Sequence, residues 1–247
     1  MNRYAIIGGT GFAASELIEH PHPVALDTPY GAPSADYITG ELAGLPVIVL
    51  ARHGSPHTLP PHKINYRANI HGLKQLGVDA IIALAAVGGI TERMAPGCLA
   101  VPDQLIDYSY GRAQTFFDDH LAEVTHVDFT QPYSAELRQA LLAAAHEAGV
   151  DMIEQGVYGV TQGPRLETAA EIRRLERDGC DLVGMTAMPE AVLAREQGMA
   201  YASIALVANW AAGKTEGEIS MASIEAYLKQ AMTAAERVIT QFCRQAA

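Results

Sequence analysis

Short, nearly unbroken apolar runs punctuate the chain at Tyr4–Ile7, Pro46–Ala51, Ala80–Ala86, Leu99–Ile106, Val157–Thr161, Asp181–Met185 and Tyr201–Val207. Ile, Val, Leu and Ala dominate them, without the polar alternation of a strand that has one wet face. Each run predicts a strand covered on both sides. Helical patterns lie between them. Asn65–Leu76 stops at Gly77, and Ser134–Ala148 has Ser134 as N-cap and Gly149 as its stop. Glu167–Arg177 ends before Gly179, while Pro189–Glu196 puts proline at the first helical position and halts before Gly198. The last helix, Ser220–Cys243, carries Met221, Ile224, Leu228, Met232, Val238, Ile239 and Phe242 on a helical period. This alternation predicts one domain over residues 1–247, a three-layer α/β sandwich with a central mixed, mostly parallel sheet flanked by helices. No internal repeat, low-complexity tract or linker interrupts it.

Composition narrows the partners. Of 247 residues, 49% are hydrophobic and 18% charged, enough apolar material for a large buried core. A formal net charge of −11 argues against nucleic acid as a partner and requires any anionic substrate to find a local cluster of positive groups. Cys98, Cys180 and Cys243 are scattered, odd in number and without CxxC spacing, so neither a disulfide framework nor a structural zinc is expected. The opening MNRYAIIGGTG reads as a first strand instead of a signal peptide, and no apolar run reaches the length of a membrane span. The expectation is a soluble cytoplasmic protein with no membrane partner.

Candidate chemistry gathers where strands end. Gly8-Gly9-Thr10-Gly11 follows the first strand, and its backbone N–H groups with the Thr10 hydroxyl can cradle an anion. Gly9, Gly11 and Ala14 also fit the dinucleotide fingerprint, the basis for an alternative reading as an NAD(P)-binding protein. Pro21 and Pro23 cut short the helix that reading needs, and no Tyr-x-x-x-Lys pair is present. Arg52-His53-Gly54 closes another strand, where the arginine fork suits phosphate oxygens through charge-assisted bonds worth about 1.5–3 kcal/mol each. His53, His57 and His62 lie among Pro56, Pro60 and Pro61 with no acidic or thiol partner, so no metal is expected. Ala85-Ala86 and Thr186 end two further strands, and four strand ends could converge on one phosphate. Glu167, placed at the opening of a helix, is a carboxylate that only accepts, which suits a ring N–H. Asn209, expected in the loop after the strand ending at Val207, offers both donor and acceptor, as purine N7 and O6 require. Taken singly, each has an ordinary structural explanation, Glu167 as a first-turn acid and Asn209 as a turn residue.

A resemblance sharpens this. GGTG at 8–11, ARHGSPHTLPPHKINYRANI at 51–70, AVGGI at 86–90, QGPRLET at 162–168, VGMTAMPE at 183–190 and YASIALVANWAAGK at 201–214 together resemble the trimeric purine nucleoside phosphorylase and methylthioadenosine phosphorylase family. The resemblance implies phosphate contacts from Thr10, Arg52, His53, Ala85, Ala86 and Thr186, with Asn209 and His53 as catalytic residues. It places Met185 under the ribose and implies substrate contacts from Glu167, Leu166, Asn209 and Ala211. Methylthioadenosine enzymes carry aspartates at the positions of Asn209 and Ala211 and a serine at that of Glu167, so a 6-oxopurine is implied here. Where ordinary purine nucleoside phosphorylases have a histidine for the 5'-hydroxyl, this chain offers Met221 and Ile224, an apolar 5' pocket. The implied reaction is phosphate-dependent cleavage of S-methyl-5'-thioinosine. General inosine or guanosine cleavage is the alternative, and methylthioadenosine a more distant one. No cofactor is implied, phosphate being a co-substrate. His126 in THVDF matches the residue that the family lends across a homotrimer interface.

Overall fold

The computed structural model describes residues 3–9, 17–118, 123–215 and 221–247. Eleven strands form one sheet: β1 (Tyr4–Gly8), β2 (Glu19–Val24), β3 (Tyr37–Leu42), β4 (Leu45–Ala51), β5 (Ala80–Gly89), β6 (Leu99–Ala100), β7 (Gln104–Asp107), β8 (Met152–Ile153), β9 (Val157–Val160), β10 (Leu182–Gly184) and β11 (Ala200–Trp210). Five α-helices are described: α1 (Tyr66–Gln75), α2 (Ala135–Glu147), α3 (Ala169–Arg177), α4 (Ala187–Glu196) and α5 (Met221–Ala246).

The unbroken apolar runs are strands buried on both faces. Along β5, Ile81, Ala83, Ala85 and Val87 enter one core with α1 and α4, through Ile70, Leu73, Leu193 and Ala194. The alternate residues Ile82 and Leu84 enter a second core with α2 and α5, through Leu137, Leu141, Val238 and Phe242. Strand periodicity thus sends successive side chains into two different cores, and three layers result. Smaller, a third cluster seats Ile172 and Leu175 of α3 against Val183 and Ala211.

The helix signals hold at the ends. Asn65 accepts from the Ala68 N–H at 3.1 Å and Ser134 from the Leu137 N–H at 3.3 Å. The stops at Gly77 and Gly149 have φ of 76° and 61°, the left-handed turn that ends a helix without a Cβ clash. Thr168 caps α3 through a reciprocal box with Glu171, so the helix starts at Ala169 and Glu167 precedes it, contrary to the sequence expectation.

Three other boundaries differ. The run Leu99–Ile106 splits at Pro102 into β6 and β7, which pair with different strands. Strands β2 and β3 escape a hydrophobic-run reading altogether. β2 (EHPHPV) is an edge strand, the one place where Pro21 and Pro23 cost no ladder bond. β3 and β4 form a hairpin whose two-residue turn, Ala43-Gly44, has φ of 52° and 85°. That geometry usually announces itself as Asn-Gly or Asp-Gly. Because β2 runs antiparallel at the sheet edge, while β1 sits between β4 and β5, the arrangement is not that of a dinucleotide-binding half.

The ladders explain where a site can open. β1 pairs in parallel with Ala80–Ala83 of β5, and β10 pairs antiparallel with Gly88 and Gly89. Between them, Leu84–Val87 have no strand on that edge among the described residues. On the other edge β11 follows β5 throughout, with a bulge at Val207/Asn209 that sets Asn209 opposite Gly88.

Gly89 anchors this region sterically. A Cβ there would lie 1.8 Å from the Met94 carbonyl oxygen, a backbone atom that cannot swing aside. Gly89→Ala is expected to cost about 1–3 kcal/mol, the usual range for overpacking. Urea denaturation checks it, and an unshifted midpoint would show that the Met94 turn yields.

Candidate functional site

The gap in the β5 edge opens onto a cleft of about 200 Å3. Arg52 and His53 reach it from the end of β4. Ala85 and Ala86 come from β5, Met185 and Thr186 from the passage between β10 and α4, and Asn209 and Ala211 from the end of β11. Leu166 and Glu167 close it from the segment before α3, and Ile224 from α5. The cleft thus collects most of the residues singled out in the sequence. Thr10 lies outside the described residues. Met221, at the head of α5, is 66% exposed and is not part of the wall; one turn later Ile224 takes that place. His126 is exposed and also stands away from the cleft.

Several placements differ in detail from expectation. β5 continues to Gly89, so Ala85 and Ala86 lie within a strand; their exposure to the cleft comes from the missing neighbour, not from a strand end. Asn209 lies within β11 instead of the loop beyond it. The bulge beside it changes the strand's facing, which a reading by strict alternation misses.

Arg52 lines the cleft but is only 1% exposed, and most of its fork is engaged inside the protein. Nε and Nη2 donate to the two carboxylate oxygens of Glu190 at 2.7 and 2.8 Å. Nη1 donates to the Leu84 carbonyl at 2.8 Å. Glu190, itself 0% exposed, also accepts from the Tyr201 hydroxyl at 2.9 Å. The fork expected for phosphate oxygens is therefore taken by an internal carboxylate, and one N–H each remains on Nη1 and Nη2. Burial works against the guanidinium charge, but the attraction and hydrogen bonds of Glu190 outweigh it and raise the Arg52 pKa. The pair as a whole is neutral.

His53 is held by its Nδ1, 2.8 Å from the Leu59 carbonyl, with the His57 ring stacked 4.4 Å away. Burial, then the neighbouring Arg52 charge, lowers its pKa from 6.5 to about 4 despite the Leu59 bond. The imidazole is neutral at ordinary pH.

At the other end, Glu167 Oε1 accepts from the Thr161 hydroxyl at 2.6 Å. Asn209 Nδ2 donates to the Trp210 carbonyl at 2.7 Å, which leaves its Oδ1 and one N–H for the cleft. A carboxylate and an amide lining the same cleft can pair with an N–H and an acceptor of a heterocyclic edge.

Arg112 was not singled out by the sequence. From a segment with little regular structure, it donates to the carbonyls of Met185 (2.8 Å), Met188, Thr161 (3.2 Å) and Gln162 (2.9 Å) and to Gln162 Oε1 (3.2 Å). It thereby ties together the two loops that carry Glu167 and Met185. Nothing in the local sequence marks it. Glu190, also missed, did leave a signal: a lone acid in the apolar stretch Ala187–Ala194.

Known proteins match this chain closely. The model of the phosphorylase superfamily matches residues 3–244. The probable S-methyl-5'-thioinosine phosphorylase of Pseudomonas syringae pv. tomato is 56% identical over 232 residues, 94% of each chain. The 6-oxopurine nucleoside phosphorylase of Pyrococcus furiosus is 45% identical, covering 91% of this chain and 85% of its own. Methylthioadenosine phosphorylase from Schistosoma mansoni, solved with adenine, superposes with a TM-score of 0.95 at 30% identity, over 100% of this chain and 92% of that one.

The Arg52–Glu190 pair gives a stability prediction. Glu190→Gln leaves a buried guanidinium without its counter-charge and is expected to cost about 3 kcal/mol. Tyr201→Phe removes one hydrogen bond and is expected to cost about 1 kcal/mol. Equal losses in chemical denaturation would mean that the Glu190 charge is not what matters.

Proposed function

The chain belongs to the phosphorylase superfamily, and within it we propose a pentosyltransferase that cleaves S-methyl-5'-thioinosine with inorganic phosphate, giving hypoxanthine and 5-methylthioribose 1-phosphate. The observation that carries this reading is that Glu167, Asn209 and the unpaired edge of β5 line one cleft. A carboxylate accepts the N1–H of a 6-oxopurine, and an amide satisfies O6 and N7. Adenine presents a bare N1 to that carboxylate, and each mispaired buried group costs about 1–3 kcal/mol. The relatives named for methylthioinosine and 6-oxopurines support the same base class.

Phosphate then occupies the β5 gap, held by the Ala85-Ala86 backbone, Thr186, His53 and the free N–H groups of Arg52, with Thr10 as a further expected donor. It approaches C1' as the C1'–N9 bond breaks. The anion stabilises the cationic sugar, and Asn209 stabilises the charge that leaves on the base. No protein nucleophile and no cofactor is needed, so catalysis is positioning and electrostatics. Met185 packs under the ribose, and Leu166 and Ala211 complete the base pocket.

Ile224 supplies the apolar 5' wall. Because Met221 stands outside the cleft, a second reading keeps the same chemistry on inosine and guanosine. We further propose a cytoplasmic homotrimer, in which the exposed His126 of one copy reaches its neighbour's cleft.

The deciding experiment compares kcat/KM for methylthioinosine, inosine and methylthioadenosine with phosphate. Preference for methylthioinosine supports the reading in full. Parity with inosine supports the second, and preference for methylthioadenosine overturns the base assignment. Asn209→Asp is expected to lower 6-oxopurine kcat/KM by about 100- to 1,000-fold, in line with loss of one charge-stabilising donor, and to narrow the margin over adenine nucleosides. An unchanged ratio would remove Asn209 from the base site.

A further inference from the structure

The Leu59 carbonyl decides where His53 carries its proton. A carbonyl oxygen only accepts, so the 2.8 Å contact puts hydrogen on Nδ1. In a neutral ring, Nε2 is then a bare lone pair that can accept and cannot donate. The ring is neutral because it is buried beside Arg52, with a pKa lowered to about 4. His57, stacked on it, is the other titratable group against it, and Glu190 lies across Arg52. His53 lines the cleft, and among the described residues no group bonds Nε2.

Resting on the phosphorylase reading above, we propose that His53 is a specificity residue that accepts a hydrogen bond from the co-substrate, so that the cleft selects an oxyanion carrying a proton. Hydrogen phosphate meets this demand by donating its P–OH to Nε2. Sulfate has the same shape and, above neutral pH, the same charge, but no proton. It sets an anionic oxygen against a lone pair, and no net positive charge compensates, since Glu190 already neutralises Arg52. An unprotonated phosphate oxygen forms the bond to C1' as the C1'–N9 pair leaves with the base, and the base anion takes its proton from solvent. The P–OH proton stays where it is, and His53 neither gives nor takes one. The role is recognition, distinct from general acid or base catalysis.

Calorimetry on the free enzyme at about pH 8, where a histidine is neutral, tests this without any nucleoside. Inorganic phosphate and arsenate are expected to bind about 100-fold more tightly than sulfate, the scale of a mispaired buried group next to a charge. In His53→Gln the amide can turn a donor to the anion, and the ratio is expected to fall below about tenfold. Nitrogen-15 NMR of labelled wild-type enzyme gives a check independent of the variant's folding: Nε2 should be the unprotonated nitrogen. Sulfate binding within about threefold of phosphate, or a bare Nδ1, overturns the proposal. The two readings separate cleanly. Phosphate selectivity without nucleoside cleavage would sink the phosphorylase function and keep this one. Hypoxanthine release with sulfate bound as well as phosphate would do the reverse.

Discussion

The contact between Arg52 and Glu190 gathers four elements of the fold at one buried point. Arg52 leaves β4, Glu190 belongs to α4, the Leu84 carbonyl to β5 and the Tyr201 hydroxyl to β11. Four elements are thus fixed to one buried, bidentate ion pair within 2.7–2.9 Å contacts. A pair of this kind adds little net stability over a well-packed apolar substitute, but it tolerates no change in relative position. The distance between the end of β4 and α4 is therefore set by hydrogen-bond geometry, where apolar packing alone would allow some slip. The site inherits that rigidity.

The same pair shapes the electrostatics. In a chain of net charge −11, an anion site needs donors more than it needs nearby anions repelled. Here Glu190 neutralises the buried guanidinium of Arg52, and His53 is held neutral. What faces the cleft is a set of oriented dipoles: the strand edge at Leu84–Val87, the Thr186 passage and the spare Arg52 N–H groups. The edge exists because β1 and β10 pair with different halves of β5. On the proposed reading, anion binding depends on a topological fact, the splitting of the sheet, and on fixed dipoles that cost no reorganisation when charge moves.

What the sequence disclosed follows the same physics. Runs buried on both faces show as continuous apolar stretches, and the central strands and the capped helices were legible for that reason. The β2–β3 edge was not, because Pro21 and Pro23 mimic a loop and Ala43-Gly44 lacks the usual turn residues. Cleft residues at strand ends were legible by position, yet their bonding was not: no spacing rule links Arg52 to Glu190, 138 residues on. The bulge that faces Asn209 into the cleft is equally silent, since it is a property of two paired strands. Thr161, which fixes Glu167, and Arg112, which ties the two loops, act through a hydroxyl and backbone carbonyls that carry no motif.

The two ends of the cleft then share one logic. Glu167 Oε1 is already occupied by the Thr161 hydroxyl, so the carboxylate presents Oε2 as an acceptor in a fixed direction. His53 Nδ1 is occupied by Leu59, so the ring presents Nε2 as an acceptor in the same sense. In each case a neighbour outside the cleft settles how the acceptor is presented, by orienting the Glu167 carboxylate and by choosing the His53 tautomer. On the proposed reading, a substrate that fits must bring hydrogen at both ends, an N1–H on the base and a P–OH on the anion. Donors can often be satisfied by water or by several lone pairs, whereas a buried acceptor facing another acceptor has no such escape. Discrimination by paired acceptors is therefore harsher than discrimination by shape. It is a means by which a small, mostly apolar cleft can separate molecules that differ by single protons.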